Sequence, residues 1–172
     1  MSPAPMRGKA IIAALKRAGV EFVVALPDIV TSDGLLWPLS RDPDIKLVRV
    51  CKEDEGIGIC AGLAFADRRA VLLIQQTGLL DSINALRAVG VEYKQPIVLL
   101  VGMQGKEPGI DPAVSKKISV RIVPPILDTM GVEYRWLEQQ ADEMQVEPAI
   151  ERAYAMSHPI CLLIGSSPST EP

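Results

Sequence analysis

Six short apolar runs alternate with helix-like segments along the chain. These runs are rich in Val, Ile and Leu, and they lack the regular polar alternation of a sheet with one wet face. They read EFVVAL (21–26), IKLVRV (45–50), AVLLIQQ (70–76), IVLLVG (97–102), EYRWL (133–137) and ICLLIG (160–165). Each run therefore predicts a strand that is covered on both faces.

Helical patterns fill the intervals between the predicted strands. Apolar residues recur on one face over 7–18, and Gly19 follows at a position where helices commonly end. Pro124 and Pro125 are expected to interrupt or cap a helix over 116–130, because proline lacks the backbone N–H that a helix interior needs. The remaining predicted helices cover 32–39, a segment from about 54, 78–89, and a segment through 150 and 153 with Pro148 in its first turn.

This order of elements predicts an α/β fold with a doubly wound, six-stranded parallel sheet, helices on both faces and right-handed crossovers. At 172 residues, the chain is expected to be a single domain over 1–172, with frayed ends at 1–5 and 166–172. Such sheets bind ligands beyond the carboxyl ends of their strands. The predicted ends are 27–28, 51–53, 75–78 and 102–104.

Composition narrows the function classes. A net charge of −3 and the lack of a basic, aromatic-interleaved stripe argue against a nucleic-acid partner. No apolar run is long enough to predict a membrane span or a secretory signal. The three cysteines have no metal-ligand spacing and are typical of buried residues in a reducing compartment. We therefore expect a cytoplasmic protein with no metal ligands of its own.

The stretch VCKEDEGIGICAGLAFA (50–66) carries the most chemistry. Its glycines resemble a dinucleotide-binding loop, but the three acids at 53–55 would repel a pyrophosphate there, so we reject that interpretation. Asp54 and Glu55 are typical of a helix N-terminus, which favours negative charge. Glu53 differs, because we expect it to end a buried strand before the helix begins. A carboxylate in that position needs a partner.

The helix after these acids has an apolar stripe and two spaced glycines. The stripe is expected to contain Ile57, Cys60, Ala61, Ala64 and Phe65. Gly58 and Gly62 would then allow another backbone to approach.

Glu53, with Gly62 nine residues on and Ala64 eleven on, resembles the pyrimidine-binding (PYR) domain of thiamine diphosphate enzymes. The resemblance extends over nearly the whole chain, through ALPDIV, LIQQTGLLDSINAL and VRIVPPILDTMGVEY. Within that family the chain is most similar to the α subunits of sulfopyruvate decarboxylase, and then to phosphonopyruvate decarboxylase.

The resemblance implies a thiamine diphosphate cofactor and assigns roles to several residues. It implies that Glu53 is catalytic and hydrogen-bonds N1′ of the aminopyrimidine, favouring the tautomer that removes the thiazolium C2 proton. Pro27 and Gln76 are the further candidates for cofactor contact, and Asp28, Thr77 and Gln104 are the candidates for substrate contact. Pro27 could equally well only terminate the strand, and Asp28 could equally well only form an Asx turn or cap the next helix.

The loop after the fourth strand departs from the resembled subunits. It reads Gly-Met-Gln-Gly at 102–105, where those subunits tend to carry an arginine. Lys106 or Arg121 could replace that arginine, or the substrate could lack a sulfonate or phosphonate group.

The resemblance also implies a partner. The family binds diphosphate and Mg²⁺ through a second (PP) domain with a Gly-Asp-Gly stretch and an asparagine pair, and neither occurs in this sequence. We therefore expect a separate PP-domain subunit that holds Mg²⁺, without which the chain is inactive. PYR domains of the family also pair with each other, so self-association through the helix over 56–62 is expected.

The expected function is that of the PYR subunit of a two-subunit 2-oxo acid decarboxylase, a carbon–carbon lyase. Sulfopyruvate, converted to sulfoacetaldehyde and CO₂, is the leading substrate, and phosphonopyruvate or another small 2-oxo acid is the alternative. Two interpretations of another class stay open: a non-catalytic assembly or regulatory subunit, and a flavodoxin-like domain that binds a ligand by itself.

Overall fold

Six parallel strands form one sheet in the order β2-β1-β3-β4-β6-β5. The computed structural model describes residues 4–170. The strands are β1 (Phe22–Ala25), β2 (Lys46–Arg49), β3 (Ala70–Gln75), β4 (Val98–Gly102), β5 (Glu133–Leu137) and β6 (Ile160–Ile164). The predicted α/β fold with a six-stranded parallel sheet is confirmed.

Helices cover both faces of the sheet. They are α1 (Gly8–Arg17), α2 (Trp37–Leu39), α3 (Glu53–Phe65), α4 (Gln76–Asp81), α5 (Ile83–Ala85), α6 (Ile118–Met130) and α7 (Val146–Met156). Two π-helical segments (Ser32–Leu36 and Leu86–Glu92) adjoin α2 and α5, and two 3₁₀ segments (Pro112–Val114 and Gln140–Gln145) lie in the later connections. Among residues 4–170, no helix has the length and apolar character needed to cross a membrane.

Side chains that alternate along the strands form two apolar cores. Val23 and Leu73 point into the core with α1, α2 and α7, whereas Val24 and Leu72 point into the core with α3, α4 and α6. Strands β3, β4 and β6 are buried almost throughout, as predicted. The prediction of burial on both faces is wrong for the two edge strands. Lys46 and Arg49 of β2 are exposed, and the first four residues of β5 are only partly buried.

The prolines of α6 do not interrupt it. Pro124 and Pro125 both lie inside the helix, so the prediction of a break or a cap there is wrong. Buried residues on one face of α6, namely Val120, Val123 and Leu127, hold it against the sheet. Tertiary packing therefore outweighs the lost backbone hydrogen bonds.

Other local signals behave as predicted. Gly19 follows α1 with φ +70°, and Pro148 lies in the first turn of α7. At the ends, Ser169 donates to the carbonyl of Met6 at 2.7 Å and accepts from the N–H of Gly8 at 3.0 Å. This pairing joins the two ends of the described chain. Fraying of 1–5 and 166–172 stays a prediction, and residues 1–3 and 171–172 lie outside the described part of the chain.

The connections after β1 and β3 run over different faces of the sheet. The connection after β1 packs its Leu35 and Leu36 into one core, whereas the helix after β3 packs Leu79 into the other. The two connections therefore leave the sheet on opposite faces, and a doubly wound sheet opens to ligands at such a point. Glu53, Asp28 and Gln76 lie in the segments around it.

Candidate functional site

Glu53 is the first residue of α3. Strand β2 ends at Arg49, so the expectation that Glu53 ends a strand before the helix begins is wrong. The start of α3 is fixed by Glu55, whose Oε2 accepts the backbone N–H groups of Cys51 at 3.1 Å and Lys52 at 3.3 Å. This contact gives Glu55 the structural role at the helix N-terminus that the sequence predicts.

The carboxylate of Glu53 is half-buried and free to bind. Within residues 4–170, no hydrogen bond or ion pair reaches it. The neighbouring cation, Lys52, lies instead 3.6 Å from Asp54 and 3.4 Å from Asp81. A carboxylate at the carboxyl edge of a sheet with no protein partner is available to a ligand that donates a hydrogen bond.

Gly78 forms the wall against which Glu53 lies. A Cβ added at Gly78 would lie 2.2 Å from Oε1 of Glu53, 2.3 Å from its Cγ and 2.4 Å from its Cδ. The first turn of α4 therefore contacts the whole end of the Glu53 side chain. Sequence reasoning missed this contact, and the only local signal for it was a glycine shortly after the third strand.

Asp28 is buried, and its carboxylate is used locally. Its Oδ1 accepts the N–H groups of Val30 at 2.6 Å and Thr31 at 3.0 Å, and its Oδ2 accepts the hydroxyl of Thr31. A Cβ at Gly102 would lie 2.6 Å from Oδ1, so Asp28 packs against the end of β4. The cap interpretation describes these contacts, and substrate contact by Asp28 stays a prediction.

Gln76 joins the ends of β3 and β4. Its side chain is 2% exposed, its Nε2 donates to the carbonyl of Gln104 at 2.8 Å, and its Oε1 accepts the N–H of Gln104 at 2.8 Å. The two atoms of the amide are thus used within the chain, and direct contact with a cofactor stays a prediction. The side chain of Gln104 is exposed and accepts a hydrogen bond from Gln75.

The other predicted residues lie at the surface of the same edge. Pro27, directly after the Leu26 that follows β1, and Thr77, in the first turn of α4, are both exposed. Ile29, beside them on the loop after β1, is 75% exposed. The structure therefore brings every predicted site residue to the carboxyl edge of the sheet, but only Glu53, Pro27, Thr77 and Gln104 have side chains that are open there.

Neither cation proposed for the missing arginine points to Glu53. Lys106 is buried, and its Nζ lies 2.8 Å from Glu138 Oε1 while donating to the carbonyls of Glu107 at 2.9 Å and Ile110 at 2.8 Å. Arg121 donates to the carbonyl of Ser115 at 2.9 Å. It also lines a cavity of about 480 Å³ beside β5, with Tyr134 and Trp136.

The outer face of α3, defined here as Gly58, Gly62 and Phe65, is open to solvent. Phe65 is 76% exposed, and a Cβ at either glycine would meet nothing within 4 Å. Phe65 follows the exposed Gly58 by seven residues, and at 100° per residue it therefore lies about 20° from Gly58 around the helix. The prediction that Phe65 shares the buried stripe is wrong. Ile57, Cys60 and Ala61 form the buried face, as predicted.

Several curated proteins are similar to most of the chain, among them two sulfopyruvate decarboxylases of methanogens. Sulfopyruvate decarboxylase subunit alpha of Methanococcus maripaludis is 30% identical over 163 residues, which are 91% of this chain and 92% of the relative. Sulfopyruvate decarboxylase of Methanosarcina acetivorans is 33% identical over 159 residues, but this chain covers only 38% of its length. No protein-family model matches the chain.

Solved structures show the same fold. Benzoylformate decarboxylase from Polynucleobacter necessarius superposes with a TM-score of 0.71 over 97% of this chain, at 19% identity. A putative thiamin diphosphate-dependent enzyme from Mycobacterium smegmatis gives a TM-score of 0.69 over 98% of the chain, at 18% identity. This chain spans about a third of each structure, 32% and 33% respectively. At these identities the likeness concerns the fold alone.

Proposed function

Because the chain belongs to the family of sulfopyruvate decarboxylase α subunits, we propose that it is the PYR subunit of a two-subunit, thiamine diphosphate-dependent 2-oxo acid decarboxylase. The proposed substrate is sulfopyruvate, and the products are sulfoacetaldehyde and CO₂. The reaction class is that of a carbon–carbon lyase.

The open carboxylate of Glu53 is the observation that carries this proposal. It lies at the carboxyl edge of the sheet, half-buried against Gly78, and no hydrogen bond or ion pair within residues 4–170 uses it. An acceptor of this kind fits a protonated ring nitrogen such as N1′ of an aminopyrimidine. A surface acid that only supports the helix start would resemble Glu55, which is bonded to the backbone.

Thiamine diphosphate, when bound, supplies a nucleophilic carbon for the carbonyl of a 2-oxo acid and holds the electron pair left by CO₂. In this proposal Glu53 accepts the hydrogen bond at the pyrimidine and holds the proton there. Exposed Pro27 would contact the ring of the bound cofactor, and Gln76 keeps the loop after β4 in place through Gln104. Thr77 and Gln104 face the substrate, and Asp28 keeps the loop after β1 closed around Thr31.

The proposal includes a separate subunit with the PP domain, which holds the diphosphate and Mg²⁺. The name of the Methanococcus relative, subunit alpha, implies a second subunit in that protein. The Methanosarcina relative is much longer than the aligned region, which covers 38% of that protein's length. A second chain in the complex would supply what the rest of that longer protein contains.

We also propose that the chain pairs with itself through the outer face of α3. Its two open glycines and an exposed phenylalanine would let a second helix approach closely. The cytoplasm is the proposed location, and the three cysteines, all free in the structure, are consistent with a reducing compartment. Cys60 and Cys161 are buried as predicted, but Cys51 is exposed, so the prediction of burial is wrong for it.

The test is co-expression with a neighbouring reading frame that encodes a Gly-Asp-Gly domain. The purified complex would be assayed for CO₂ release from sulfopyruvate, with phosphonopyruvate and pyruvate as comparisons. We expect turnover of sulfopyruvate to require both chains, thiamine diphosphate and Mg²⁺. A Glu53→Gln variant should lose at least about 100-fold in kcat, the lower range for an acid–base group.

Asp54→Asn is the matched control, because Asp54 is the adjacent acid and its partner in the structure is Lys52. This variant should keep nearly full activity. Full activity of assembled Glu53→Gln would refute the mechanism. Turnover of a different 2-oxo acid would refute only the substrate.

A further inference from the structure

Gly78 occupies a position where the structure has no room for a side chain. The three atoms nearest to a Cβ added at Gly78 all belong to Glu53, and they lie 2.2 Å (Oε1), 2.3 Å (Cγ) and 2.4 Å (Cδ) from it. Real Cβ atoms do not approach other atoms this closely, so any larger residue at position 78 must displace the side chain of Glu53. The φ of Gly78 is not positive, so the requirement for glycine comes from space and not from backbone conformation.

Hydrogen bonds and packing on both sides of Gly78 hold its backbone in place beside Glu53. Its carbonyl accepts the hydroxyl of Ser82 at 2.7 Å and the N–H of Ser82 at 3.0 Å. Leu79, the next residue, is fully buried in the core, and the preceding Gln76 is bonded to the backbone of Gln104. With both sides of Gly78 anchored, the flexible partner is the Glu53 side chain.

We propose that Gly78 is a positioning residue, which fixes where the carboxylate of Glu53 lies and thereby where it meets the cofactor. The proposal rests on the proposed function, because it assigns to Gly78 the placement of the group that binds the pyrimidine. A methyl group at position 78 would turn the carboxylate out of this position without removing its charge.

The first test measures the steric contact in the chain alone. Thermal unfolding would be followed for wild type, Gly78→Ala, Glu53→Ala and the double variant. Replacing a helical glycine by alanine raises Tm by about 2–4 °C in a chain of this size when the new methyl group meets nothing. We expect Gly78→Ala to raise Tm more, or lower it less, in the Glu53→Ala background than in the presence of Glu53, because the three atoms nearest the added Cβ all belong to Glu53.

Gly62→Ala is the matched control for unfolding. Gly62 is also helical, but a Cβ there would meet nothing within 4 Å. Its effect on Tm, including any effect on pairing through the outer face of α3, should be the same whether residue 53 is glutamate or alanine. Equal effects of Gly78→Ala in the two backgrounds would overturn the proposal.

The second test measures thiamine diphosphate binding by the co-purified complex. Gly78→Ala should weaken binding at least about tenfold, in the direction of Glu53→Ala, and should cause no further loss when Glu53 is already alanine. If Glu53→Ala weakens binding and Gly78→Ala does not, the positioning role is refuted while the proposed function stands. If neither variant changes binding, both are refuted.

Discussion

At the scale of single residues, Gln76 extends the pairing of β3 and β4 beyond the ends of the strands. Its amide bonds to both the N–H and the carbonyl of Gln104, as the backbone of a neighbouring strand would. Its Nε2 also lies 3.4 Å from the hydroxyl of Ser119 in the first turn of α6. One buried side chain therefore connects three segments at the carboxyl edge.

Leucine has a volume similar to that of glutamine, but it neither donates nor accepts a hydrogen bond. Gln76→Leu would therefore leave the N–H and the carbonyl of Gln104 without their partner, and it should destabilise the chain by about 1–3 kcal/mol. Urea unfolding followed by circular dichroism would measure this. The matched control is Gln75→Leu, since the side-chain hydrogen bond of Gln75 goes to the exposed side chain of Gln104, and it should change stability by less than about 0.5 kcal/mol. Equal effects of the two variants would contradict a special role for Gln76.

The sequence could predict which residues reach the carboxyl edge, but not where their polar atoms point. Spacing and family resemblance identified Glu53, and its carboxylate is open. For Gln76, the bonding partner lies 28 residues away on another strand end. Such a partner depends on strand order, which local patterns do not encode, so the use of the amide within the chain was not predictable.

At the scale of elements, α6 keeps its helical form despite Pro125. This proline is exposed and lies in the middle of the helix, where it removes a backbone hydrogen bond. Pro125→Ala should therefore stabilise the chain by about 1–2 kcal/mol, after allowance for the greater freedom of the unfolded chain. The free energy of unfolding in urea is the measurement.

Pro148→Ala is the control for Pro125→Ala. Pro148 lies in the first turn of α7, where an N–H has no acceptor within the helix, so alanine should change stability by no more than about 0.5 kcal/mol. A loss of stability in Pro125→Ala would show that the proline serves the packing of α6 and does not strain it.

The same elements show what periodicity can predict. The central strands β3, β4 and β6 were found from their apolar runs, because burial on both faces leaves a nearly continuous pattern. Local rules failed for α6, where two prolines predicted a break. They also failed for Phe65, which was assigned to the wrong face of α3. In both cases the outcome depends on tertiary packing. The sheet covers one face of α6, whereas no other part of the described chain covers Phe65.

At the scale of the whole molecule, Glu143 fastens the start of the chain to its last third. Its Oε1 accepts the N–H of Arg7 at 2.7 Å, and its Oε2 accepts Nη2 of Arg7 at 2.7 Å. Burial acts to raise the pKa of the Glu143 carboxyl, but the hydrogen bonds and the charge of Arg7 outweigh it. The pKa therefore lies below its ordinary value of 4.5.

A lowered pKa in the folded state means that the unfolded chain binds the proton more readily. The stability from this contact is therefore present above about pH 4.5 and is lost as pH falls through the folded-state pKa. Glu143→Gln should lower Tm at pH 7 and flatten its fall on acidification. Scanning calorimetry from about pH 6 to 3 would show this. The exposed pair of Glu92 with Arg87 is the control, and Glu92→Gln should leave the curve nearly unchanged.

The exposed side chains of the whole molecule also bear on whether two copies of the chain pair with each other. Phe65 on the outer face of α3 is 76% exposed, and Met144 on the opposite face of the sheet is 77% exposed. The two positions expose similar fractions, but only Phe65 lies beside two glycines that would admit another backbone. If the chain pairs through this face, the buried phenylalanine would contribute much of the apolar contact.

Phe65→Glu should therefore shift the purified chain toward the monomer, because the new charges would be buried against each other in a symmetric pair. Sedimentation velocity over a range of concentrations would measure the dissociation constant, which should rise at least about tenfold. Met144→Glu adds the same charge at equal exposure and should leave the constant unchanged. An equal shift in both variants would show that net charge, and not the face of α3, controls association. No shift in Phe65→Glu would place the contact between copies on another surface.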